Sequence, residues 1–129
     1  MKAYIQKETL EQANSKKLEA RLLEHRNKDG KTAFFLAVEH GQKEIASYLI
    51  ENFSFLNFYA RDTHRGCTAL HIAVEKNNKE LIKILYDMDP KRCLEGNYDG
   101  QSPFFFAVQA QNMEILTDLF SKYKLDALA

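Results

Sequence analysis

The stretch Gly66-Cys67-Thr68-Ala69-Leu70-His71-Ile72-Ala73-Val74 decides the fold, because its pattern occurs three times in the chain. The equivalent stretches are 30–38 and 100–108, so with starts at 30, 66 and 100 the copies are 36 and then 34 residues apart. Other positions keep the same two offsets, among them Glu44, Glu80 and Glu114. A period of this length is typical of tandem structural repeats. We therefore expect three stacked copies of one small unit.

Each unit is predicted to contain two short helices. A side-chain hydroxyl stands where the first helix should begin, able to accept a hydrogen bond from the unpaired amides of the first turn. These hydroxyls belong to Thr32, Thr68 and Ser102. Pro103, directly after Ser102, suits the first helical position. The first helix should end near Gly41, Asn77 or Asn112.

The second helix of each unit is predicted to be amphipathic. The glutamates Glu44, Glu80 and Glu114 complement the positive end of a helix in its first turn. Apolar residues recur three and four positions apart, as in a buried stripe. They are Ile45, Tyr48 and Leu49, then Leu81, Ile84 and Leu85, then Ile115 and Leu119. Since neither helix can cover its own apolar face, the units must stack, and Ala37, Ala73 and Ala107 should let the paired helices approach closely.

The middle unit resembles an ankyrin repeat. The resemblance lies in residues 66–74 and in the following Asn77-Asn78-Lys79-Glu80-Leu81-Ile82-Lys83-Ile84-Leu85. The first and third units are weaker copies, with Phe34-Phe35 and Phe104-Phe105 where the family has Leu-His. Over about residues 27–123 the resemblance implies an all-α ankyrin-repeat solenoid of stacked helix-turn-helix units with short hairpin loops. It also implies a hydrogen bond between Thr68 and His71.

The expected boundaries are an N-terminal helical cap over 1–26, repeat 1 over 27–62, repeat 2 over 63–96, and repeat 3 with a C-terminal tail over 97–129. The cap should be broken near Asn14-Ser15, with Leu18, Leu22 and Leu23 covering the first repeat.

The C-terminal end departs from the repeat pattern. Leu116 and Phe120 are apolar where a closing repeat would be polar. Either Leu125 and Leu128 cover that face, or the chain is a fragment or self-associates through the third repeat.

Composition excludes several classes of protein. Of 129 residues 45% are hydrophobic, which is enough for one domain. The 18 Lys and Arg balance the 18 Asp and Glu, which argues against nucleic acid and anionic membranes as partners. We find no apolar run of membrane-spanning length and no secretory signal. We therefore expect a cytoplasmic protein with reduced cysteines at Cys67 and Cys93.

The histidines and cysteines of the middle unit do not predict a metal or nucleophile site. His64, Cys67 and His71 lie within one eight-residue stretch. In the repeat register, however, Cys67 should be exposed while His71 points inward, so these ligands should diverge. No glycine-rich phosphate loop, paired-cysteine zinc spacing or serine elbow occurs. We expect no enzyme activity, no cofactor and no metal.

The aromatic clusters have two interpretations. Phe34-Phe35 and Phe104-Phe105-Phe106 could form a base-stacking platform, but helical spacing beside Ala-Val pairs favours core packing. The loop 53–59 is rich in aromatic residues, so it is either a protruding anchor or, as we favour, buried against adjacent helices.

The resemblance implies that the concave face of the repeats binds another protein. Arg65 and Tyr98 are the first choices for contact residues, since Arg and Tyr are common binding hot spots. The predicted set comprises the loop residues Lys28, Asp29, Lys31, His64, Arg65, Cys67, Tyr98, Asp99 and Gln101, and the helix residues Glu39, His40, Glu75, Lys76, Gln109 and Ala110.

Three functions remain open. The first is a non-enzymatic module that binds a partner protein through this face. The second is a regulatory or substrate-targeting segment of a larger multidomain enzyme. The third is the ankyrin module of a bacterial effector acting in a host cytosol. The sequence alone does not name the partner, because one scaffold hosts many interfaces.

Overall fold

A computed structural model of the protein describes residues 18–118. Residues 18–24 are helical, and three pairs of helices follow. The pairs are α1 (Ala33–Glu39) with α2 (Lys43–Asn52), α3 (Ala69–Glu75) with α4 (Lys79–Met88), and α5 (Pro103–Gln109) with α6 (Met113–Thr117). A 3-10 helix, Pro90–Leu94, follows α4. The described residues contain no strand, which confirms the prediction of an all-α solenoid.

The first helix of each pair, called here the inner helix, begins where its hydroxyl cap was predicted. The oxygens of Thr32, Thr68 and Ser102 accept from the backbone N–H three residues later. Local side-chain chemistry therefore sets these three starts.

Each inner helix ends before one residue in the left-handed conformation. These residues are Gly41, Asn77 and Gln111, with φ of 69°, 55° and 54°. In the third unit this is Gln111, not the predicted Asn112, whose side chain instead accepts from Ile115 N–H and caps α6. The sharp turn lets the second helix, called the outer helix, return against the inner one.

The units stack through both helices. Inner helix α3 contacts α1 on one side and α5 on the other, and α2 contacts α4. The predicted small residues Ala37, Ala73 and Ala107 are at most 2% exposed, as close helix packing requires. The core is therefore continuous from the first unit to the third.

The predicted stripe of the outer helices is buried in part. Leu49, Leu81, Leu85 and Ile115 are buried, but Ile45 is 48% and Tyr48 is 59% exposed, so their predicted burial was wrong. Leu81 and Ile115 lie on outer helices that come after the outer helix of another unit. Among residues 18–118 no outer helix precedes α2, and Ile45 remains uncovered.

The cap covers the first unit with one leucine of the predicted three. Leu23 packs against the core, whereas Leu18 and Leu22 are 57% and 66% exposed. The prediction fails for these two because residues four apart share one helix face, and that face points away from the stack. The predicted break at Asn14-Ser15 lies outside the described residues.

At the other end, Leu116 is partly buried against the core. The predictions for Leu119, Phe120, Leu125 and Leu128 concern residues outside the described range. Within residues 18–118, no helix has the length and apolar character needed to cross a membrane.

The aromatic loop 53–59 folds back on the first unit, as favoured from the sequence. Leu56 and Phe58 are buried, and the ring of Phe58 meets that of Phe34 edge-on at 4.8 Å. Phe55 alone among its aromatic residues is half exposed. The core interpretation also holds for Phe34, Phe35 and Phe106, but Phe105 is 44% exposed.

Candidate functional site

Three finger loops precede the inner helices, and one polar side chain shapes each of them. These loops, 27–31, 62–67 and 97–101, begin at Asn27, Asp62 and Asn97. The Oδ1 atom of each accepts from two backbone N–H groups further along its own loop. Because a side chain satisfies the loop amides, the finger conformation is held without a β-ladder.

Neighbouring fingers are joined by backbone hydrogen bonds. Thr63 N–H donates to the Asp29 carbonyl at 2.9 Å, and Tyr98 N–H donates to the Arg65 carbonyl at 3.0 Å. His64 Nε2 also lies 3.0 Å from the Asp29 carboxylate, and this contact lowers the pKa of Asp29. The fingers therefore form one connected row.

Glycine is required at two finger tips. Gly66 has φ of 67°, and an added Cβ would lie 2.3 Å from the Tyr98 ring. Gly30 has φ of 75°, and its Cβ would lie 2.2 Å from Thr63 Oγ1. A side chain of the next finger therefore packs directly on each of these glycines.

Ion pairs tie the first two fingers to their inner helices. Lys31 Nζ lies 3.0 Å from Glu39, and Arg65 binds Glu75 through two bonds of 2.8 and 3.1 Å. The Arg65 hydrogen bond lowers the pKa of Glu75, and the same bond raises the pKa of Arg65. At the register of Lys31 and Glu39 the third unit carries neutral glutamines, Gln101 and Gln109.

A groove opens between the second and third units, where the ion pair of the second unit faces the glutamines of the third. Its volume is about 330 Å³. The lining residues are Arg65, Glu75, Gln101, Phe106, Gln109 and Ala110. One wall is therefore charged, the other is amide-rich, and an aromatic ring lies at the base. Tyr98 stands beside it on the finger row, 64% exposed.

The structure places most of the predicted contact residues on this face, called here the finger–helix face. It brings Arg65, Glu75, Gln101 and Gln109 together in the groove. The predicted residues that are exposed are Lys28, His40, His64, Arg65, Glu75, Lys76, Tyr98, Asp99, Gln109 and Ala110, and those half-buried are Asp29, Lys31, Glu39 and Gln101.

Cys67 is a correction, because it is buried and not exposed. The next finger covers it, and Asn97 Nδ2 donates to its sulfur at 3.6 Å. Burial raises the pKa of Cys67 and raises that of Cys93 to about 12. Neither thiol is available to a partner, so Cys67 leaves the contact set.

His71 is buried and serves the framework. Its Nδ1 accepts from Thr68 N–H at 3.1 Å, so Nε2 carries the proton and donates to the Gln101 carbonyl at 2.8 Å. The Thr68 bond implied by the resemblance is therefore present. Burial lowers the pKa of His71. In the part of the chain that the structure describes, no three His, Cys, Asp or Glu side chains converge to hold a metal.

The sequence analysis did not identify Arg61, which stabilises the finger–helix face through hydrogen bonds to the backbone. Its guanidinium donates to the Gly66 carbonyl at 2.9 Å and to the Gly96 carbonyl at 2.6 Å, and it pairs with Glu95. In the first unit Arg26 stands at the equivalent place, directly before Asn27, and donates to the Arg61 carbonyl at 3.3 Å, so this repeated arginine was a signal that the sequence analysis did not use. Phe106 was expected in the core, and its place at the base of the groove was also not foreseen.

Two family models match the chain. The family model described as "Ankyrin repeats (3 copies)" matches residues 53–128, and that described as "Ankyrin repeat" matches residues 29–62. These matches confirm the family suggested by the sequence.

Among curated proteins, the NF-kappa-B inhibitor cactus of Drosophila melanogaster is 38% identical over 86 residues, and that of Drosophila yakuba gives the same value. The match covers 66% of this chain and 17% of cactus. The human transient receptor potential cation channel subfamily A member 1 is 32% identical over 100 residues, covering 76% of this chain and 9% of the channel. The chain thus spans a small part of each relative.

Proposed function

The chain belongs to the ankyrin repeat family, and from this premise we propose that it is a non-enzymatic module that binds a partner protein in the groove of its finger–helix face. The groove lined by Arg65, Glu75, Gln101 and Gln109 is the observation that carries the proposal. Its glutamine amides both donate and accept hydrogen bonds, as the main chain of a bound segment requires.

The stiffness of the face supports binding. The fingers are held by their own Asx side chains and by the Thr63–Asp29 and Tyr98–Arg65 backbone bonds. A surface that is ordered before binding loses little conformational entropy in the complex. Tyr98 and Arg65 are anchors of the kind that carry most of the energy at interfaces.

The buried groups support a role without catalysis. His71 uses both ring nitrogens in framework hydrogen bonds, and the raised pKa values of Cys67 and Cys93 keep both thiols protonated. Two buried free thiols are also in keeping with a reducing, intracellular location. The chain spans only a small part of each relative. If it is a regulatory segment of a larger protein, the same groove would serve that role.

An NF-kappa-B protein is the first partner to test. The two fruit-fly relatives are named NF-kappa-B inhibitors, and their 38% identity covers 66% of this chain. We expect a purified NF-kappa-B protein to bind the immobilised chain in biolayer interferometry. Absence of binding would reject this partner, and the groove would then be tested with peptides as follows.

A display library of peptides, selected on the purified chain, tests the groove itself. For the selected peptides, fluorescence polarisation should show binding weakened about tenfold or more by the double change Arg65→Ala and Tyr98→Ala, since each side chain is a predicted anchor. The matched control is Glu51→Ala with Lys83→Ala, which removes two exposed charges from the outer helices. Equal affinity of the two double variants, with unchanged melting temperatures, would reject the finger–helix face.

A further inference from the structure

The last inner helix has an uncovered edge that its two predecessors bury. At one register the three inner helices carry Phe35 and Val38, His71 and Val74, and Phe105 and Val108. The first four side chains are at most 2% exposed, whereas Phe105 and Val108 are 44% and 47% exposed. In the second unit this register faces the next repeat, since His71 binds the Gln101 carbonyl and its ring lies 5.2 Å from that of Phe106. Within residues 18–118, therefore, no further repeat stacks on Phe105 and Val108.

The third finger is uncovered in the same way. Thr63 sits over Gly30 and Tyr98 over Gly66, but a Cβ added to Gly100 would meet no atom within 4 Å. The Asp29 and Arg65 carbonyls accept from the next finger, while within residues 18–118 no backbone N–H donates to the Asp99 carbonyl. Helix and finger together present one continuous edge, called here the C-terminal edge.

The helix part of this edge has no charge, and on the finger part Asp99 is exposed beside it. The fourteen residues from Gly100 to Met113 include no Asp, Glu, Lys, Arg or His. The equivalent stretches 30–43 and 66–79 carry lysines and a glutamate each. The exposed side chains on the uncharged stretch include Val108, Gln109, Gln111 and Met113. Depletion of charged residues is the compositional mark of the core of a protein interface.

We propose that the C-terminal edge binds the same edge of a second copy of this chain, across a two-fold axis. An isologous contact apposes a surface with itself, so any charge on it would meet a like charge near the axis. The stretch from Gly100 to Met113 brings no such charge to the contact, and its glutamine amides pair with identical groups because they donate and accept. Phe105 and Val108 supply the apolar centre, continuing the packing that already joins the three units.

A head-to-tail arrangement fits the structure less well. Lys43 pairs with Glu80, and Lys79 pairs with Glu114, so each lysine meets the glutamate of the following unit. In the third unit Met113 takes the position of these lysines. In a head-to-tail stack, Glu44 of the next copy would therefore have no lysine to pair with. The inner side of the first unit is also closed, since Phe34 is 3% exposed and packs on Phe58.

Sedimentation equilibrium tests the proposal on the whole chain. The monomer mass is 15.0 kDa, and the average mass of the wild type should rise with concentration toward twice that value. Val108→Lys should stay monomeric, because two lysines would face each other in the contact. Ile45→Lys is the matched control at 48% exposure and should dimerise like the wild type.

Cross-linking tests which edge is used. The native thiols are buried, so a cysteine introduced at an exposed position is the reactive one. With a short bis-maleimide, Met113→Cys should give a covalent dimer, whereas Tyr48→Cys, at the opposite end of the stack, should not. A monomeric wild type, a mass beyond the dimer, or equal cross-linking of the two variants would overturn the proposal.

Discussion

The imidazole of His71 joins two repeats, since its Nε2–H donates to the Gln101 carbonyl at 2.8 Å while its Nδ1 accepts from Thr68 N–H. The first contact crosses from the second unit to the third, and the second caps its own helix. His71 is fully buried, so both bonds are shielded from water. The neutral ring is needed for this arrangement because a proton on Nδ1 would remove the acceptor.

Stability should fall between pH 6.5 and 5. Burial lowers the pKa of His71 in the folded protein below its ordinary value of 6.5, so in this window the unfolded chain binds more protons and folding is disfavoured. Urea unfolding should give a free energy lower by up to about 2 kcal/mol at pH 5 than at pH 7. The pKa of Glu75 is lowered from 4.5, so its contribution is lost only in more acidic solution.

The control for this pH effect is a histidine outside the core. His71→Phe should abolish the slope between pH 6.5 and 5, whereas His40→Ala, an exposed change, should keep it. A slope that survives in His71→Phe would contradict the assignment.

Gly66→Ala should be much more destabilising than Gly100→Ala. Both glycines are left-handed, at φ of 67° and 75°, so each alanine incurs a strain of about 1–2 kcal/mol. Only at Gly66 does the added Cβ also meet the Tyr98 ring, which should cost about 2 kcal/mol more. Chemical denaturation measures both, and equal losses would show that Tyr98 does not rest on Gly66. Adding Tyr98→Ala should relieve part of the Gly66→Ala loss.

Arg61→Met should cost more stability than Glu75→Gln. Removing the Arg61 guanidinium leaves the carbonyls of Gly66 and Gly96 without their donor, at a cost of about 2 kcal/mol. The Arg65–Glu75 pair is 45% and 40% exposed, so Glu75→Gln should cost less than about 1 kcal/mol and depend on salt. Thermal unfolding at low and high salt gives the comparison, and the reverse order of the two losses would contradict it.

Both thiols should be slow to react in the folded protein. Cys67 and Cys93 are at most 1% exposed, and burial raises the pKa of each. Since the thiolate is the reactive form, an aromatic disulfide reagent should modify them about a hundredfold more slowly in buffer than in denaturant. Rapid modification of one thiol in buffer would place Cys67 back on the accessible surface.

The local features of this fold could be read from residues close together in the chain. The hydroxyl caps at Thr32, Thr68 and Ser102 bond to amides three residues away, and the Thr68–His71 pair spans the same distance. Such contacts depend on sequence separation alone, so helix starts, the number of units and the inner-helix core residues other than Phe105 were predicted correctly.

The candidate site was predictable only as a region. Register placed Arg65, Glu75, Gln101 and Gln109 on one face, but it also placed the buried Cys67 there. Arg61 escaped notice because it acts through bonds to residues up to 35 positions away, although Arg26 precedes the first finger in the same way.

What the sequence by itself determined was the repeating unit, since period, caps and apolar spacing are all local to about 35 residues. Only the tertiary structure decided which surfaces remain open. Ile45 and Leu81 share a register, as do Val74 and Val108, yet one of each pair is buried and the other exposed. The physical reason is that burial depends on whether a neighbouring unit lies against the residue, and a repeat pattern reads the same at the middle of a stack and at its ends.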